Sequence, residues 1–199
     1  MIFAAAQRLV TCCALALAAT LCACASAPVA LDDEQARLAE AHRLAQSAQA
    51  LAKAGQRDKA VEQYAQAVAT HREFAPAWYN LGVLLAEQGK HAQAAEAYSA
   101  AAEYNLTDPR PHTGLGLIAQ ELLHYDEAAD YYAMALERDP NYLPALRKSI
   151  EIDQLRDSYS DETVQRVRRA LYRETDQQWK DYLLRQKLKA DERLSRGKE

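Results

Sequence analysis

Cysteine is scarce in this chain: there are four in 199 residues, Cys12, Cys13, Cys22 and Cys24, and none follows residue 24. Beyond that point no disulfide framework and no thiolate metal site is available, so stability must come from packing. The five histidines, His42, His71, His91, His112 and His124, show no His-x-x-x-His spacing and no cysteine neighbour. The sequence therefore predicts no metal and no cofactor. A nucleophile beside a base and paired carboxylates at close spacing are also lacking, which argues against an enzyme. Gly114-Leu115-Gly116 has no following Gly-Lys and reads as packing glycine rather than a phosphate loop. Strand-like alternation is absent, so the expected fold is all-α. The one long apolar run, Leu9 to Ala23, is shorter than the ~20 residues a bilayer-spanning helix needs.

Net charge is −4, but it is unevenly placed. Residues 25–142 carry nine Lys or Arg against seventeen Asp or Glu, whereas residues 143–199 carry fourteen against eleven. Nucleic-acid binding needs a basic groove, and an acidic body argues against it. In the tail, Arg166, Arg168, Arg169 and Arg173 read as a solvated helix face with intrahelical pairs. The competing reading has them meet phospholipid headgroups or an acidic partner.

What the chain does have is a repeat. Trp78, Leu81, Gly82, Ala94, Tyr98 and Ala101 recur thirty-four residues later as His112, Leu115, Gly116, Ala128, Tyr132 and Ala135, and the second copy ends in Asp139-Pro140-Asn141. A fainter copy precedes them, with Leu44, Ala48, Leu51, Gly55, Ala60, Tyr64 and Ala67 in the matching places. A fixed period of this length marks a solenoid, because a helix pair that cannot bury its apolar face alone must stack on the next. Small residues at 82, 94, 116 and 128 mark helix crossings, and the large ones fill the space beside them.

Ala75-Pro76-Ala77-Trp78-Tyr79-Asn80-Leu81-Gly82, followed by Gly89, Ala94, Tyr98 and Ala101, resembles the tetratricopeptide repeat (TPR). The departures are Ser47-Ala48 where the family has Leu-Gly, and Leu106 where it has Pro. The resemblance implies a right-handed α-solenoid of three helix pairs, at 41–74, 75–108 and 109–142. A capping helix is expected at 143–158, where Ser149, Ile150 and Asp153 replace the family's residues, and a charged helical extension at 159–199. In that extension Ser160 and Thr175-x-x-Gln178 each open a helix. Val164, Val167 and Leu171 form one face of the first. Trp179, Tyr182 and Leu183 are expected to pack on the array, and the charged half beyond them to be solvated and frayed. Before the repeats, residues 32–54 read as one long helix with Asp32-Asp33-Glu34 at its start.

The family's concave face takes the first helix of each repeat at set places. Carried onto this chain, these are His42, Gln49 and Lys53, then Tyr79, Val83 and Glu87, then Arg110, Thr113, Leu117, Gln120 and Glu121, with Asn80 as the family's frequent backbone-binding amide. The mixture of aromatic, aliphatic and hydrogen-bonding groups suits an extended or helical peptide. The family's best-known groove clamps a C-terminal carboxylate. Of that clamp only Asn80 and Arg110 have counterparts here, with Ala45, Gln49 and Gly114 in the other places, so a ligand of that type is not expected.

Residues 1–23 have the layout of a bacterial export signal, with Arg8, an apolar run and then Leu21-Cys22-Ala23-Cys24. The last four resemble a lipobox, which implies lipidation of Cys24 and a tether over residues 24–40 leading into the first helix. A signal-peptidase site after Ala25 or Ala27 is the other reading, and gives a soluble periplasmic or secreted protein. Ala25 after the Cys leans toward the outer membrane, facing the periplasm. The expected function is thus a non-enzymatic adaptor that binds a protein partner and supports assembly of an envelope machine. In architecture it resembles type IV or Tad/Flp pilus assembly lipoproteins. An adaptor for a periplasmic protease or peptidoglycan hydrolase is the alternative, and an enzyme with an unrecognised site is a distant third. Oligomeric state is left open.

Overall fold

The computed structural model describes residues 28–196, and within them every regular element is a helix. In chain order these are α1 (Pro28–Lys53), α2 (Arg57–Thr70), α3 (Ala75–Glu87), α4 (His91–Tyr104), α5 (Arg110–Glu121), α6 (Tyr125–Arg138), α7 (Leu143–Leu155), α8 (Asp161–Arg173) and α9 (Gln177–Arg196). Each packs chiefly on its sequence neighbours, giving a stack of helix hairpins: an all-α helical repeat fold. α1 starts at Pro28, a turn earlier than expected, so Asp32 and Asp33 lie in its second turn rather than at its N-terminus.

Four turns set the period. Gly55, Gly89, Leu123 and Asp157 stand thirty-four residues apart, and each has positive φ, at 77°, 71°, 62° and 49°. Every one closes a helix by the same pair of bonds. For the second turn these are Gly89 N–H to the Ala86 carbonyl and Lys90 N–H to the Leu85 carbonyl, each at 2.9 Å, and for the fourth Asp157 N–H to Gln154 and Ser158 N–H to Asp153. This is a Schellman closure, whose left-handed residue reverses the chain and makes consecutive helices antiparallel.

The crossings follow a volume rule. A Cβ added at Gly82 would lie 2.7 Å from the Tyr98 ring, and one at Gly116 would lie 2.5 Å from the Tyr132 ring. Tyr98 also fills the space beside Gly114 on the next pair, so one tyrosine seals both its own hairpin and the junction. Thirty-four residues beyond Gly116 stands Ile150, fully buried in one cluster with Val167, which follows Tyr132 by thirty-five residues on α8. Large and small have changed sides, and the space is filled again.

This swap accounts for a difference from the expectation drawn at Ser149, Ile150 and Asp153. These residues face inward and are buried, so α7 is the first helix of a fourth pair rather than the solvent-facing end. Asp153 Oδ2 accepts from Thr163 Oγ1 at 2.6 Å and from Arg166 Nη2 at 2.5 Å. Arg166 is therefore buried and committed to α7, and is not part of a solvated face, while Tyr172, one residue before Arg173, is almost fully exposed. Ser160 accepts from Thr163 N–H, and Thr163 Oγ1 accepts from Ser160 N–H, which fixes the start of α8.

α9 begins thirty-four residues after α7, as the first helix of a further pair would. Its N-terminal cap is Asp176, whose carboxylate accepts from Trp179 N–H at 3.0 Å, one residue later than the Thr175 of the sequence pattern. The charged half is helical to Arg196 and partly docked. Gln186 and Ala190 are buried, Tyr159 donates to Gln186 at 2.8 Å, and Arg193 pairs with Asp157 at 2.7 Å. Two further pairs run along the outer surface, Lys187 with Asp191 and Arg196 with Glu192.

Candidate partner-binding groove

The first helices α1, α3, α5 and α7 line one face, and tyrosines from the second helices supply its floor. Tyr64 lines one pocket with Asn80, and Tyr132 donates to Gln120 at 2.9 Å. Between them Tyr98 is 5% exposed, and its hydroxyl has no hydrogen-bond partner among the described residues. Burial, with Tyr79, Glu87 and Glu121 nearby, pushes that hydroxyl well above the ordinary tyrosine range, so it is a neutral donor at all physiological pH. These tyrosines entered the sequence reading only as packing residues. Their bulk was legible there, but the outward aim of their hydroxyls was not.

Gln49, Lys53, Asn80, Val83 and Glu87 converge with Tyr64 and Arg57 around a pocket of about 300 Å³ between α1 and α3. Arg57 Nε donates to Glu87 at 3.1 Å across the pocket mouth. His42 lies apart, its ring against Phe74 at 4.4 Å. Tyr79 carries the Arg110 guanidinium over its ring at 4.6 Å, a cation–π contact. Arg110 is held by Asp108 through Nε at 2.9 Å and Nη2 at 2.6 Å. Burial raises the Asp108 carboxyl, but these bonds and the Arg110 N–H outweigh it and hold the carboxyl below its usual range. Arg110 is thus already engaged by a carboxylate, which removes it further from a free carboxylate clamp.

Thr113 is buried, and its hydroxyl donates back to the Pro109 carbonyl at 3.0 Å, so it offers the groove nothing. Leu117 is exposed, and Glu121 stands 3.6 Å from His91 at the rim. Gln120 faces Glu151 at 3.4 Å, which leads the surface onto α7.

A cavity of about 620 Å³ lies where the sequence reading placed no site. Lys148, Glu151, Gln154 and Leu155 of α7 form one wall, and Asp176, Gln178, Trp179 and Tyr182 form the other. The α7 residues hold the same helix places as the groove residues of α3 and α5. A signal was available in Pro144-Ala145-Leu146, in register with Pro76-Ala77-Trp78. Trp179 is fixed from both sides, by the Arg147 guanidinium 4.4 Å over its ring and by Tyr182 edge-on at 5.4 Å. Arg147 is itself held by buried Glu174. Desolvation works to raise the Glu174 carboxyl, but bonds from Arg147 and from the Thr175 and Asp176 amides prevail and keep it low. Tyr182 donates to Gln154 at 2.9 Å, and burial pushes its hydroxyl up to about 12. The arrangement can hold side chains of a bound segment; among the described residues no three acidic, cysteine or histidine side chains are placed to hold a metal ion. No described helix is long and apolar enough to cross a membrane.

Residues 45–106 match the family described as tetratricopeptide repeat. No curated protein matches the chain. Solved structures of the same fold include MamA, at 20% identity and TM-score 0.60 over 66% of this chain and 77% of that one. The first TPR of Spaghetti (RPAP3), bound to the HSP90 peptide SRMEEVD, is similar at 22% identity and TM-score 0.56, covering 60% and 94%. The Arabidopsis OM64 TPR domain is similar at 20% identity and TM-score 0.57, covering 60% and 98%. At these identities the likeness is one of fold, a helical repeat fold, and the tetratricopeptide-repeat family match is confined to residues 45–106.

Proposed function

We propose that this chain is a non-enzymatic scaffold that holds a segment of a protein partner in the groove lined by α1, α3, α5 and α7 and walled at its end by α9. The observation that carries this is the succession of fixed, accessible groups along one face, from the Asn80 pocket through Tyr79–Arg110 to the Trp179–Tyr182 cavity. Fixed aromatic and amide groups lose little conformational entropy on binding, and are the usual sources of binding energy in such surfaces. The ligand class differs from a carboxylate-terminated peptide, because Arg110 is engaged by Asp108 and Gly114 offers no side chain. Replacing Tyr79, Asn80 and Arg110 together by Ala should weaken partner capture on the order of 100-fold or more, at ~1 kcal/mol or above for each of the three contacts. The measurement is a pull-down from envelope fractions; recovery of the same proteins in the same amounts by wild type and variant ends the groove reading.

The export-type leader supports a location in the bacterial envelope, with the scaffold tethered through lipidated Cys24 to the outer membrane and facing the periplasm. Cys24 lies outside the described residues, so this rests on Leu21-Cys22-Ala23-Cys24 alone. A tethered scaffold there would serve assembly of an envelope machine such as a pilus or secretion apparatus. Growth with labelled palmitate should mark wild type and leave Cys24→Ala unmarked, and an unmarked wild type rules out the lipid anchor.

A further inference from the structure

Of the eleven tyrosines in the chain, all but one are buried or half-buried, and Tyr172 alone stands in water, at 92% exposure. It lies on the outer face of α8, one helical turn after exposed Arg168 and next to exposed Arg173. Arg169 borders the same stripe, where its Nη1 donates to the Pro140 carbonyl at 3.1 Å. The acids nearest in sequence are engaged elsewhere. Glu162 pairs with Arg166 at 2.9 Å, buried Glu174 holds Arg147, and Asp176 accepts from the Trp179 N–H at 3.0 Å. Asp161 stands in the first turn of α8, two turns away from Arg168. Among the described residues, Arg168, Arg169 and Arg173 thus have no carboxylate partner, and the face is a cluster of uncompensated positive charge around an open ring.

A cation in the last turn of a helix is favoured by the helix dipole, which accounts for Arg173 but not for Arg168 or for an aromatic ring left in water. We propose that this face of α8 docks on an anionic phospholipid surface, with the guanidiniums on lipid phosphates and the Tyr172 ring at headgroup level. Planar guanidinium matches phosphate in geometry, and tyrosine, with an apolar body and a polar tip, suits the boundary between headgroups and acyl chains.

A membrane fits this face better than an acidic segment of a protein for two reasons. The first is shape. Arg168, Arg169, Tyr172 and Arg173 line neither of the two groove cavities, and they stand on a second helix, whereas the groove is lined by first helices. A chain segment is held in a concavity, but a plane of headgroups needs only a helix face that stands outward. The second is continuity with the rest of the chain. Residues 25–27 alone separate Cys24, the residue proposed to carry lipid, from Pro28 at the start of α1. A body tied so closely has a bilayer beside it, and one acyl anchor with one basic patch is a recurrent pair of membrane signals. This second reason rests on the proposed anchor, while the charge and exposure of the face do not. Docking through α8 leaves both groove cavities open to a partner.

Partitioning of the full chain onto vesicles tests the face, with phosphatidylcholine alone set against phosphatidylcholine containing about 30% phosphatidylglycerol. Wild type should prefer the anionic vesicles, and the preference should fade as salt rises from about 50 to 500 mM. At about fivefold per arginine near an anionic surface, Arg168→Gln with Arg173→Gln should lower partitioning onto the anionic vesicles about 25-fold and leave phosphatidylcholine binding unchanged. Both side chains are exposed, so the melting temperature should stay that of wild type. Equal partitioning of wild type onto the two vesicles overturns the proposal, and capture of an acidic protein by wild type but not by the variant then assigns the face to a protein partner. A preference for anionic vesicles that survives in the variant also overturns it, since the variant retains residues 1–27 and any binding those residues cause. Palmitate labelling reads the anchor separately: an unlabelled chain that keeps its arginine-dependent preference loses the tether and keeps the face.

Discussion

Gly116→Ile is expected to destabilise the stack by at least ~3 kcal/mol, and a second change, Tyr132→Val, to recover most of that loss. A Cβ at position 116 would sit 2.5, 2.8 and 2.9 Å from three atoms of the Tyr132 ring, closer than any relaxed carbon contact. The ring has no room to yield, being fully buried with its hydroxyl on Gln120 at 2.9 Å. Tyr132→Val alone leaves a cavity beside glycine and loses that bond, at a cost of about 3–4 kcal/mol. Together the two changes copy the fourth pair, where Ile150 and Val167 meet in one buried cluster. The double variant should therefore lie within about 2 kcal/mol of wild type, and the coupling between the two sites should be about 3 kcal/mol or more in the favourable direction. Chemical denaturation of the four proteins, followed by far-ultraviolet circular dichroism, measures it. Additive losses would mean that the fourth pair is filled by some other means than this exchange of volume.

The same exchange explains why three pairs were legible in the sequence and the fourth was not. Identity at fixed spacing reveals Gly82 with Tyr98 and Gly116 with Tyr132, because the same solution recurs. At Ile150 and Val167 the volume is conserved but neither residue type is, and α8 is displaced by one residue in the register. Charge misled in the same region. Arg166 reads as solvated because ionic side chains usually are, and only the fold brings it to Asp153 in a buried pair. On the groove, the resemblance names Gln49, Lys53, Asn80, Val83 and Glu87, and these five line one pocket. It cannot reveal that Thr113 turns back onto Pro109, or that Asp108 claims Arg110, since both depend on rotamers rather than on spacing. The α9 wall was out of reach for another reason: Trp179 and Tyr182 show that a helix packs, but not that the packing leaves a cavity against α7.

The Asp153–Arg166 pair yields the second large effect, with a sign that distinguishes a paired charge from a merely helpful one. Asp153 Oδ2 is the shared acceptor for Thr163 Oγ1 and Arg166 Nη2, and both side chains of the ion pair are about nine-tenths buried. Asp153→Ala leaves the guanidinium inside with only Glu162, at 2.9 Å and itself exposed, as counter-charge. An uncompensated buried charge costs about 3–5 kcal/mol, and here the cost falls on the α7–α8 junction that also supports α9. Removing the charge as well should relieve it. Asp153→Ala with Arg166→Met is expected to be about 1–3 kcal/mol more stable than Asp153→Ala alone, although it lacks both members of the pair. Trp179 reports the outcome locally, because its stacking on Arg147 and Tyr182 requires α9 to be docked on α7. In a Trp78→Phe background, where Trp179 is the one tryptophan, its emission in Asp153→Ala should shift to the red at a lower temperature than far-ultraviolet circular dichroism shows for the stack, and in the double variant the two transitions should rejoin. A double variant less stable than the single would show that Arg166 stabilises the junction through its own packing rather than through its charge, and that reading would then replace this one.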